Sequence, residues 1–404
     1  MIYKAFKYRI YPTKEQEILI SKHIGSSRFI FNWALAKKIE VYQKENKSIS
    51  RFDLQKELPT MKKSDDFSWL KEVNSQSLQA SLENLDKAYT KFFRDKKGFP
   101  KFKAKHRSRK SFSIPQSTKV DFKCSRMFVP KFKGGIKVKF HREFQGVIKT
   151  STISQNASGK YFVSILVETD DIEIKKSKPN IKNAIGLDLG IKTFAVLSDG
   201  TEIQSPKHLK NNLERLKVLQ KRASKKQKGS SNRRKANKRV ALLHERITNR
   251  RSDFLHKTTI KLIRENQTIC LETLKVSNMI KNHNLAQAIS DVSWSKFNEM
   301  INYKSDWYGV NILRIGQFEP SSKMCSCGVI NKELKLSDRV WTCKSCNTTH
   351  DRDLLASQNI LRFAFHPKNN IKTGAVRSEE SVEMPTLAGS VKQEAHLSLF
   401  SVGG

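Results

Sequence analysis

Residues 181–202 read IKNAIGLDLGIKTFAVLSDGTE, and this stretch decides how the second half of the chain folds. Its two apolar runs meet at Gly190, which predicts two strands joined by a tight turn. Asp188 lies inside the first run, where a carboxylate is costly unless it has a function. Because the glycines at 186 and 190 thin the strand around it, we expect a ligand to approach the backbone there. Asp188 is therefore a candidate functional carboxylate, and a turn residue at a strand end is the alternative.

Two further carboxylates stand near the ends of predicted elements. Glu272 closes the apolar run TICLETL at 268–274, at the end of a strand where open α/β sheets place their sites; a solvated surface residue is the alternative. Asp353 opens a predicted helix over 353–365. We interpret the preceding Asp351 as a capping residue of that helix, whereas Asp353 lies further into the helix and is placed to face the sheet.

Asp188, Glu272 and Asp353 together make the ligand set that a two-metal nuclease needs. Carboxylates supply the oxygen ligands that Mg²⁺ prefers, and they leave positions open for water and phosphate. Two ions about 4 Å apart activate the attacking water and stabilise the leaving oxygen of a phosphodiester. The sequence therefore predicts two Mg²⁺ ions, with Mn²⁺ as an alternative.

Four of the six cysteines are grouped in two close pairs, Cys325 with Cys327 and Cys343 with Cys346. Fifteen residues separate the pairs, which predicts one structural Zn²⁺ ion held by four thiolates. The second pair has the usual CxxC spacing, whereas the first is CxC, one residue shorter. His350 is a candidate replacement for one sulfur, and four free thiols are the alternative.

The charge of the chain indicates a polyanionic partner. Among 404 residues, 77 Lys and Arg stand against 38 Asp and Glu, a formal net charge of +39. Residues 207–264 hold 20 basic and three acidic residues, and self-repulsion makes an ordinary solvated helix face a poor alternative. Such residues contact phosphates and position a nucleic acid without reading its sequence. The candidate nucleic-acid contacts are Arg28, Lys221, Arg222, Lys225, Lys226, Arg233, Arg234, Lys235 and Arg352.

The predicted elements divide the chain into several units, as its length suggests. Short β segments in 1–12 and 111–180 predict one small β-barrel built from two pieces of chain. Helical spacing over 13–110 predicts an all-α unit, which opens at a capping box of Thr13 and Gln16. Residues 181–318 and 350–366 predict a split α/β unit, with the cysteine segment 319–349 inserted. We expect the tail, 367–404, to be disordered, because it has no sustained periodicity.

Membrane insertion and secretion are not expected. No apolar run reaches the roughly 18 residues that a membrane span requires. The N-terminal residues MIYKAFKYRIYPT lack the apolar segment of a secretory signal. We therefore expect a cytoplasmic protein with no membrane partner.

Short motifs occur along most of the chain. Those of the N-terminal half are YRIYPT, GSSRFIFNWAL, SLENLDKAYTKFFR and GFPKFK. Those of the C-terminal half are IGLDLGIKTFAVLSDG, DFLHK, ISDVSWSKF to DWYG, EPSSKMCSCG, WTCKSC and THDRD. In this order they resemble the TnpB family, the accessory proteins of one class of bacterial and archaeal transposons and the ancestors proposed for type V CRISPR effectors. The resemblance spans roughly residues 1–365.

The resemblance implies a multidomain fold with an RNase H-like (RuvC) nuclease domain and an inserted zinc ribbon. In it, Asp188, Glu272 and Asp353 match the three RuvC carboxylates, and the four clustered cysteines match the ribbon. Residues 13–110 resemble the recognition lobe, and the β segments resemble the wedge domain. Two departures from the family pattern are the CxC pair and Leu355, where the family often has Asn.

The resemblance also implies an activity and partners. A transposon-encoded guide RNA, called omega RNA, pairs with double-stranded target DNA beside a short motif that the protein reads, and the DNA is cut. We expect a monomer bound to RNA, close to the nucleoid of a prokaryote, whose cutting serves DNA recombination by the transposable element. The alternatives are a non-catalytic RNA- and DNA-binding regulator, a transposase that joins DNA ends, and an RNA-binding zinc-ribbon protein without an active site.

Overall fold

The computed structural model describes residues 2–169, 174–335 and 337–366. The tail 367–404, for which we expected disorder, lies outside the described residues. The strands of the first half are β1 (Ile2–Tyr11), β2 (Lys110–Ile114), β3 (Lys119–Asp121), β4 (Arg126–Phe128), β5 (Ile136–Lys139), β6 (Val147–Gln155) and β7 (Tyr161–Thr169). The helices of that half are α1 (Lys14–Glu45), α2 (Arg51–Lys63) and α3 (Ser75–Phe93), with a 3₁₀ segment at Asp65–Glu72.

The seven strands form one antiparallel sheet in the order β2-β6-β7-β1-β5-β4-β3. Strand β1 pairs with β7 along nearly its whole length, so the N-terminal strand and the later β segments belong to the same sheet, as the sequence predicted. Phe6, Tyr8 and Ile10 alternate along β1 and point into a core shared by the other strands. Closure of this sheet into a barrel stays a prediction.

The segment between β1 and β2 is helical. The side chain of Thr13 accepts a hydrogen bond from the backbone N–H of Gln16, and the Gln16 side chain accepts one from the backbone N–H of Thr13, which confirms the predicted capping box of α1. Leu78, Leu82 and Leu85 of α3 pack in one cluster with residues of α1 and α2, as their helical spacing predicted.

The second half contains a five-stranded sheet. Its strands are β8 (Ala184–Leu189), β9 (Thr193–Leu197), β10 (Glu202–Gln204), β11 (Thr268–Glu272) and β12 (Asn311–Ile315). Its helices are α4 (Leu213–Ser224), α5 (Ser231–Glu265), α6 (Val276–Met279), α7 (His283–Val292), α8 (Trp294–Tyr308) and α9 (Arg352–Phe365), with 3₁₀ segments at Ile181–Asn183 and Lys210–Asn212. The short strands β13 (Val340–Thr342) and β14 (Thr349–Asp351) form a separate antiparallel hairpin next to the cysteines.

The order of this sheet is β10-β9-β8-β11-β12, and β8, β11 and β12 run parallel. Strand β9 is antiparallel to β8, to which the turn at Gly190 joins it as predicted. Helices α5 and α8 cover one face, where Phe194 packs edge-to-face against Phe254 and Phe297. Helix α9 covers the other face, so the carboxyl ends of the parallel strands open beside the start of α9.

No helix in the part of the chain that the structure describes is both long enough and apolar enough to cross a membrane.

Candidate active site and cysteine cluster

Helix α9 lies directly against strand β8 at Gly186. A Cβ atom added to Gly186 would lie 2.1 Å from the backbone oxygen of Ser357, so only glycine permits this approach. The expectation that Gly186 makes room for a ligand is therefore wrong, because the space is taken by the backbone of α9. A Cβ atom added to Gly190 would likewise meet backbone, because it would lie 2.7 Å from the carbonyl oxygen of Thr193.

This contact determines where two of the carboxylates stand. Asp188 follows Gly186 by two residues in β8 and so faces the same side of the sheet, the side covered by α9. Asp353 precedes Ser357 by four residues, about one helical turn. The rise of one turn, about 5.4 Å, is close to the length of two strand residues, about 6.6 Å, so Asp353 lies beside Asp188.

Glu272 reaches the same side of the sheet from the neighbouring strand. In β11, Cys270 packs against Ile360 and Phe363 of α9, and Glu272 follows it by two residues. Leu187 and Leu271 are register partners, so Asp188 and Glu272 come next to each other at the carboxyl ends of β8 and β11. The Ser321 hydroxyl donates a hydrogen bond of 2.6 Å to Oε1 of Glu272.

Asp353 is oriented by the residues around the start of α9. The Asp351 side chain accepts hydrogen bonds from the backbone N–H groups of Asp353 and Leu354, which confirms its capping role. Oδ2 of Asp353 lies 2.6 Å from Nη1 of Arg339, a residue that directly precedes β13. Nε of Arg352 lies 3.6 Å from Oδ1 of the same carboxylate.

Burial and charge act together on Asp188. Loss of hydration, followed by the negative charges of Glu272 and Asp353, raises the pKa of the Asp188 carboxyl group to about 7. The positive charges of Arg352 and Arg339 oppose this shift. The structure therefore brings together the three carboxylates that the sequence singled out, and their mutual repulsion is what a bound cation would relieve.

The donor set fits Mg²⁺ or Mn²⁺. All three groups offer carboxylate oxygens, the ligands that hard divalent cations prefer. They come from two strand ends and one helix start at the same edge of the sheet. Asp188, Glu272 and Asp353 are thus candidate metal ligands, and both their metal binding and their catalytic role stay predictions.

The four clustered cysteines also converge. The Sγ atoms of Cys325, Cys327, Cys343 and Cys346 lie within 4.8 Å of one another. Cys325 and Cys346 are 3.5 Å apart at Sγ, and Cys327 and Cys343 are 3.7 Å apart. Four sulfurs placed tetrahedrally about 2.3 Å from Zn²⁺ are separated by about 3.8 Å, so the set fits zinc and the CxC pair does not prevent it.

The side chains of His350 and Thr348 lie next to this cluster. Nε2 of His350 lies 3.0 Å from Sγ of Cys325, so the histidine predicted as a substitute ligand is beside the four sulfurs. Hydrogen bonding to Thr348, whose Oγ1 lies 3.3 Å from Sγ, lowers the pKa of the Cys346 thiol to about 6. The thiolate is the form that binds a metal, so a cysteine that ionises readily suits a metal site.

Most of the predicted nucleic-acid contacts lie at one end of the long basic helices. Lys221 and Arg222 are exposed in α4, Lys225 and Lys226 follow it, and Arg234 and Lys235 are exposed in the first turns of α5. Two of the candidates are engaged within the protein. Arg233 donates to the backbone oxygen of Lys226 at 2.7 Å, and Arg352 lies against Asp353.

Arg28 is far from these residues along the chain and lines a separate cavity of about 400 Å³. The cavity lies between α1, α3 and β2, and Lys103 and Arg109 also line it. Burial lowers the pKa of Lys103 to about 8, and its Nζ lies 3.6 Å from the centre of the Phe31 ring. Nucleic-acid contact by Arg28 stays a prediction.

Sequence reasoning missed two side chains of the candidate site. Arg339 and Ser321 contact the predicted catalytic carboxylates, yet neither stands within a predicted element that would have marked it. Ser321 belongs to the motif EPSSKMCSCG, whereas Arg339 had no signal beyond its place in the inserted cysteine segment, which we predicted as a separate unit. Their positions depend on how that segment folds back onto the sheet.

Three family models match the chain. One described as "Probable transposase" (OrfB_IS605) matches residues 164–283, and one described as "Cas12f1-like, TNB domain" matches 294–360. A third, described as "Helix-turn-helix domain", matches residues 1–47, where the structure has strand β1 followed by the single helix α1.

Solved structures of effector proteins give a weaker likeness. The chain in a Cas12f1–sgRNA–target DNA complex matches with 14% identity and a TM-score of 0.48, over 89% of this chain and 98% of that one. The mini-RNA-guided endonuclease Cas_phi3 matches with 11% identity and a TM-score of 0.46, over 90% and 92%.

Curated relatives match along most of the chain. A protein of Streptomyces pristinaespiralis named "Putative RNA-guided DNA endonuclease" is 38% identical over 361 residues, 89% of this chain and 88% of the relative. The Escherichia coli (strain K12) protein named "Putative RNA-guided DNA endonuclease InsQ" is 34% identical over 373 residues, which cover 89% of this chain and 91% of the relative. The mimivirus TnpB-like protein L770 is 23% identical over 395 residues, 89% of this chain and 73% of the relative. At this identity and coverage, and with the transposase family model across the β8–β11 region, the chain belongs to the TnpB family.

Proposed function

We propose that this protein is an RNA-guided, metal-dependent DNA endonuclease. The observation that carries the proposal is the meeting of Asp188, Glu272 and Asp353 at one edge of the sheet, where burial and the charges of Glu272 and Asp353 raise the pKa of Asp188. The strand order, with an antiparallel hairpin β8–β9 and parallel β11 and β12, supports the RNase H-like (RuvC) nuclease unit that the resemblance implies.

In this proposal the side chains hold the cations and the substrate in place. Asp188 and Glu272 are ligands from adjacent strand ends, and Asp353 is the ligand from α9. Ser321 orients Glu272 through its hydrogen bond, and Asp351 fixes the first turn of α9 and so the position of Asp353. When bound, two Mg²⁺ ions supply Lewis acidity at the attacking and leaving oxygens of the phosphodiester.

The positive charge of the chain and its curated relatives support the proposed guide RNA and DNA target. A net charge of +39 suits a protein that holds two polyanions, and the exposed basic residues around the α4–α5 connection offer phosphate contacts. The relatives carry the name of RNA-guided DNA endonucleases. We infer that a transposon-encoded RNA is bound, that it pairs with double-stranded DNA, and that the protein reads a short motif beside the target.

The other units take supporting roles in the proposal. The four cysteines hold one structural Zn²⁺ ion, and the hairpin of β13 and β14 connects that site to α9. Residues 13–110 act as the recognition lobe and the seven-stranded sheet acts as the wedge. A monomer bound to RNA is sufficient, because one chain carries all three carboxylates.

The test begins with protein expressed together with its flanking transposon DNA. RNA that copurifies is sequenced, and its variable end defines a DNA target for a cleavage assay with Mg²⁺. We expect cutting that requires both the matching target and the metal, and we expect Asp188→Asn to abolish cutting while RNA binding is retained. Asp199→Asn, in the exposed turn after β9, is the matched control and keeps full activity.

Three results would contradict the proposal. Cleavage that persists in Asp188→Asn would remove the active site from these carboxylates. Copurified RNA without metal-dependent cutting would favour a non-catalytic regulator. Products with joined DNA ends in place of free 5′ phosphates would favour a strand-transferring transposase, in keeping with the description of the matching family model.

A further inference from the structure

A cluster of aromatic side chains is exposed where α3 ends, outside the candidate active site. We call Tyr89, Phe92, Phe93, Phe99 and Phe102 the aromatic patch. Phe93, Phe99 and Phe102 are 72%, 44% and 57% exposed, far more than large apolar side chains usually are. Several exposed phenylalanines in one place indicate a binding surface, whereas single ones do not.

Four rings of the patch, all except that of Phe102, contact one another. Phe99 packs edge-to-face against Tyr89 at 5.6 Å and against Phe92 at 5.3 Å between ring centres. Phe93 lies 5.0 Å from Phe92 and is stacked at 6.2 Å from Tyr89. Edge-to-face contacts stabilise ring pairs beyond simple burial, so the exposed faces are presented in a preorganised way.

The backbone on both sides of the patch is anchored. After α3 the N–H of Lys97 donates to the backbone oxygen of Lys91, which turns the chain back over the helix end. Beyond Phe102, the side chain of Asn32 in α1 exchanges two hydrogen bonds with the backbone of Lys103, at 2.8 and 2.9 Å. Phe99 and Phe102 are therefore part of a connection that is tied to two helices.

The charge around the patch selects its partner. Residues 87–110 contain eleven Lys and Arg and one acidic residue, Asp95. A second copy of this chain would bring the same positive charge and be repelled. The partner that offers both flat apolar faces and negative charge is a nucleic acid whose bases are unpaired, since paired bases in a duplex hide their faces.

We propose that the aromatic patch is a stacking platform for unpaired nucleotides, whose phosphates contact the surrounding lysines and arginines. The inference rests on the proposed function only for the presence of nucleic acid, and it names a surface distant in sequence from the carboxylates. Stacking of bases on aromatic rings tolerates any base, so the platform holds a strand without reading it.

The test measures binding in a protein that cannot cut. The Asp188→Asn protein is freed of RNA and studied without metal, with a labelled oligothymidylate of about 12 nucleotides and a duplex of the same length as probes. Fluorescence anisotropy is recorded at raised salt, because salt weakens phosphate contacts and leaves stacking. We expect Phe93→Ala and Phe93→Leu to weaken binding of the single strand about tenfold, and Phe93→Trp to retain it.

The matched control is Phe52→Ala, which removes an exposed phenylalanine from α2, at 62% exposure against 72% for Phe93. Equal binding by Phe93→Ala and Phe52→Ala would overturn the inference. So would full binding by Phe93→Leu, which keeps an apolar side chain without a ring, or an equal loss for the duplex. Because no cleavage is measured, a failure here leaves the endonuclease proposal standing, and a failure of cleavage leaves this result unchanged.

Discussion

A Cβ atom on Gly186 would lie 2.1 Å from the backbone oxygen of Ser357, so strand β8 and helix α9 are in backbone contact at this glycine. The contact is structural, yet it positions two predicted catalytic groups. Asp188 stands two residues beyond Gly186, and Asp353 stands one helical turn before Ser357. Any change that separates the two backbones also separates the two carboxylates.

We expect Gly186→Ala to impair both stability and cleavage. The added methyl group meets backbone atoms that have no rotamer to change, so α9 must move, at a cost of about 1–3 kcal/mol of unfolding free energy. Thermal denaturation measures the first effect and a cleavage assay the second. Gly25→Ala is the control, because nothing lies within 4 Å of that Cβ position in α1 and alanine favours the helix. Wild-type cleavage by Gly186→Ala would show that the contact does not position Asp353.

Asp188→Asn is expected to stabilise the metal-free protein while it abolishes cutting. The folded state raises the pKa of Asp188 to about 7 from an ordinary value of 3.8, so the folded protein binds more protons between these values. Stability contributed by the protonated group is present below pH 4 and is lost as the pH rises to about 7. This pKa difference of about three corresponds to at most about 4 kcal/mol of unfolding free energy.

The measurement is thermal denaturation of both proteins in a chelator at several pH values. The melting temperature of Asp188→Asn should exceed that of the wild type by a growing margin from pH 5 to pH 8. Asp199→Asn, which removes the same charge from an exposed turn, serves as the control. A margin for Asp188→Asn that does not depend on pH would contradict the raised pKa.

Arg339→Ala is expected to tighten binding of a divalent cation at the carboxylates. Arg339 pairs with Asp353 at 2.6 Å and so competes with a cation for the same oxygen. Because both side chains are partly exposed, we expect a change of only a few-fold. Calorimetric titration of Mn²⁺ into RNA-free protein measures it, with Arg215→Ala, an exposed residue of α4, as the control. Weaker Mn²⁺ binding would mean that Arg339 orients Asp353 and does not compete.

The cysteine cluster is expected to hold one Zn²⁺ ion per chain. Cys343→Ser should lose the metal, and the melting temperature should fall, because the hairpin of β13 and β14 would lose its anchor. Elemental analysis of the purified proteins gives the zinc content. Cys124→Ser, an exposed cysteine elsewhere, should keep the ion.

His350 allows a sharper test of the same site. With four sulfurs within 4.8 Å of one another, His350→Ala should also retain zinc. Loss of zinc in His350→Ala, together with retention in a variant of one cysteine, would assign the histidine as a ligand in place of that sulfur.

Much of the fold could be read from local pattern. The apolar runs predicted β8, β9 and β11, the capping box predicted the start of α1, and the spacing of Leu78, Leu82 and Leu85 predicted α3. These features depend on backbone periods of two and 3.6 residues and on side chains three residues apart. The cysteine pairs were equally local, since a turn of two or three residues brings both sulfurs to one point.

The three carboxylates of the candidate site could be predicted by residue, but the packing that brings them together could not. Asp188 and Asp353 are 165 residues apart in the sequence. Their proximity in space depends on the packing of α9 on β8, which the sequence did not reveal. The prediction that Gly186 makes room for a ligand was wrong for the same reason. The sequence does not distinguish a strand glycine that approaches a ligand from one that approaches a helix backbone.

The sequence by itself determined the elements, the basic character and the two sets of ligand residues, because each follows from composition or from spacing along a few turns of chain. The tertiary structure alone decided the order β10-β9-β8-β11-β12, the pairing of Arg339 with Asp353 and the exposure of Phe93. These depend on which apolar surfaces cover each other, and burial of that kind joins residues far apart in the chain.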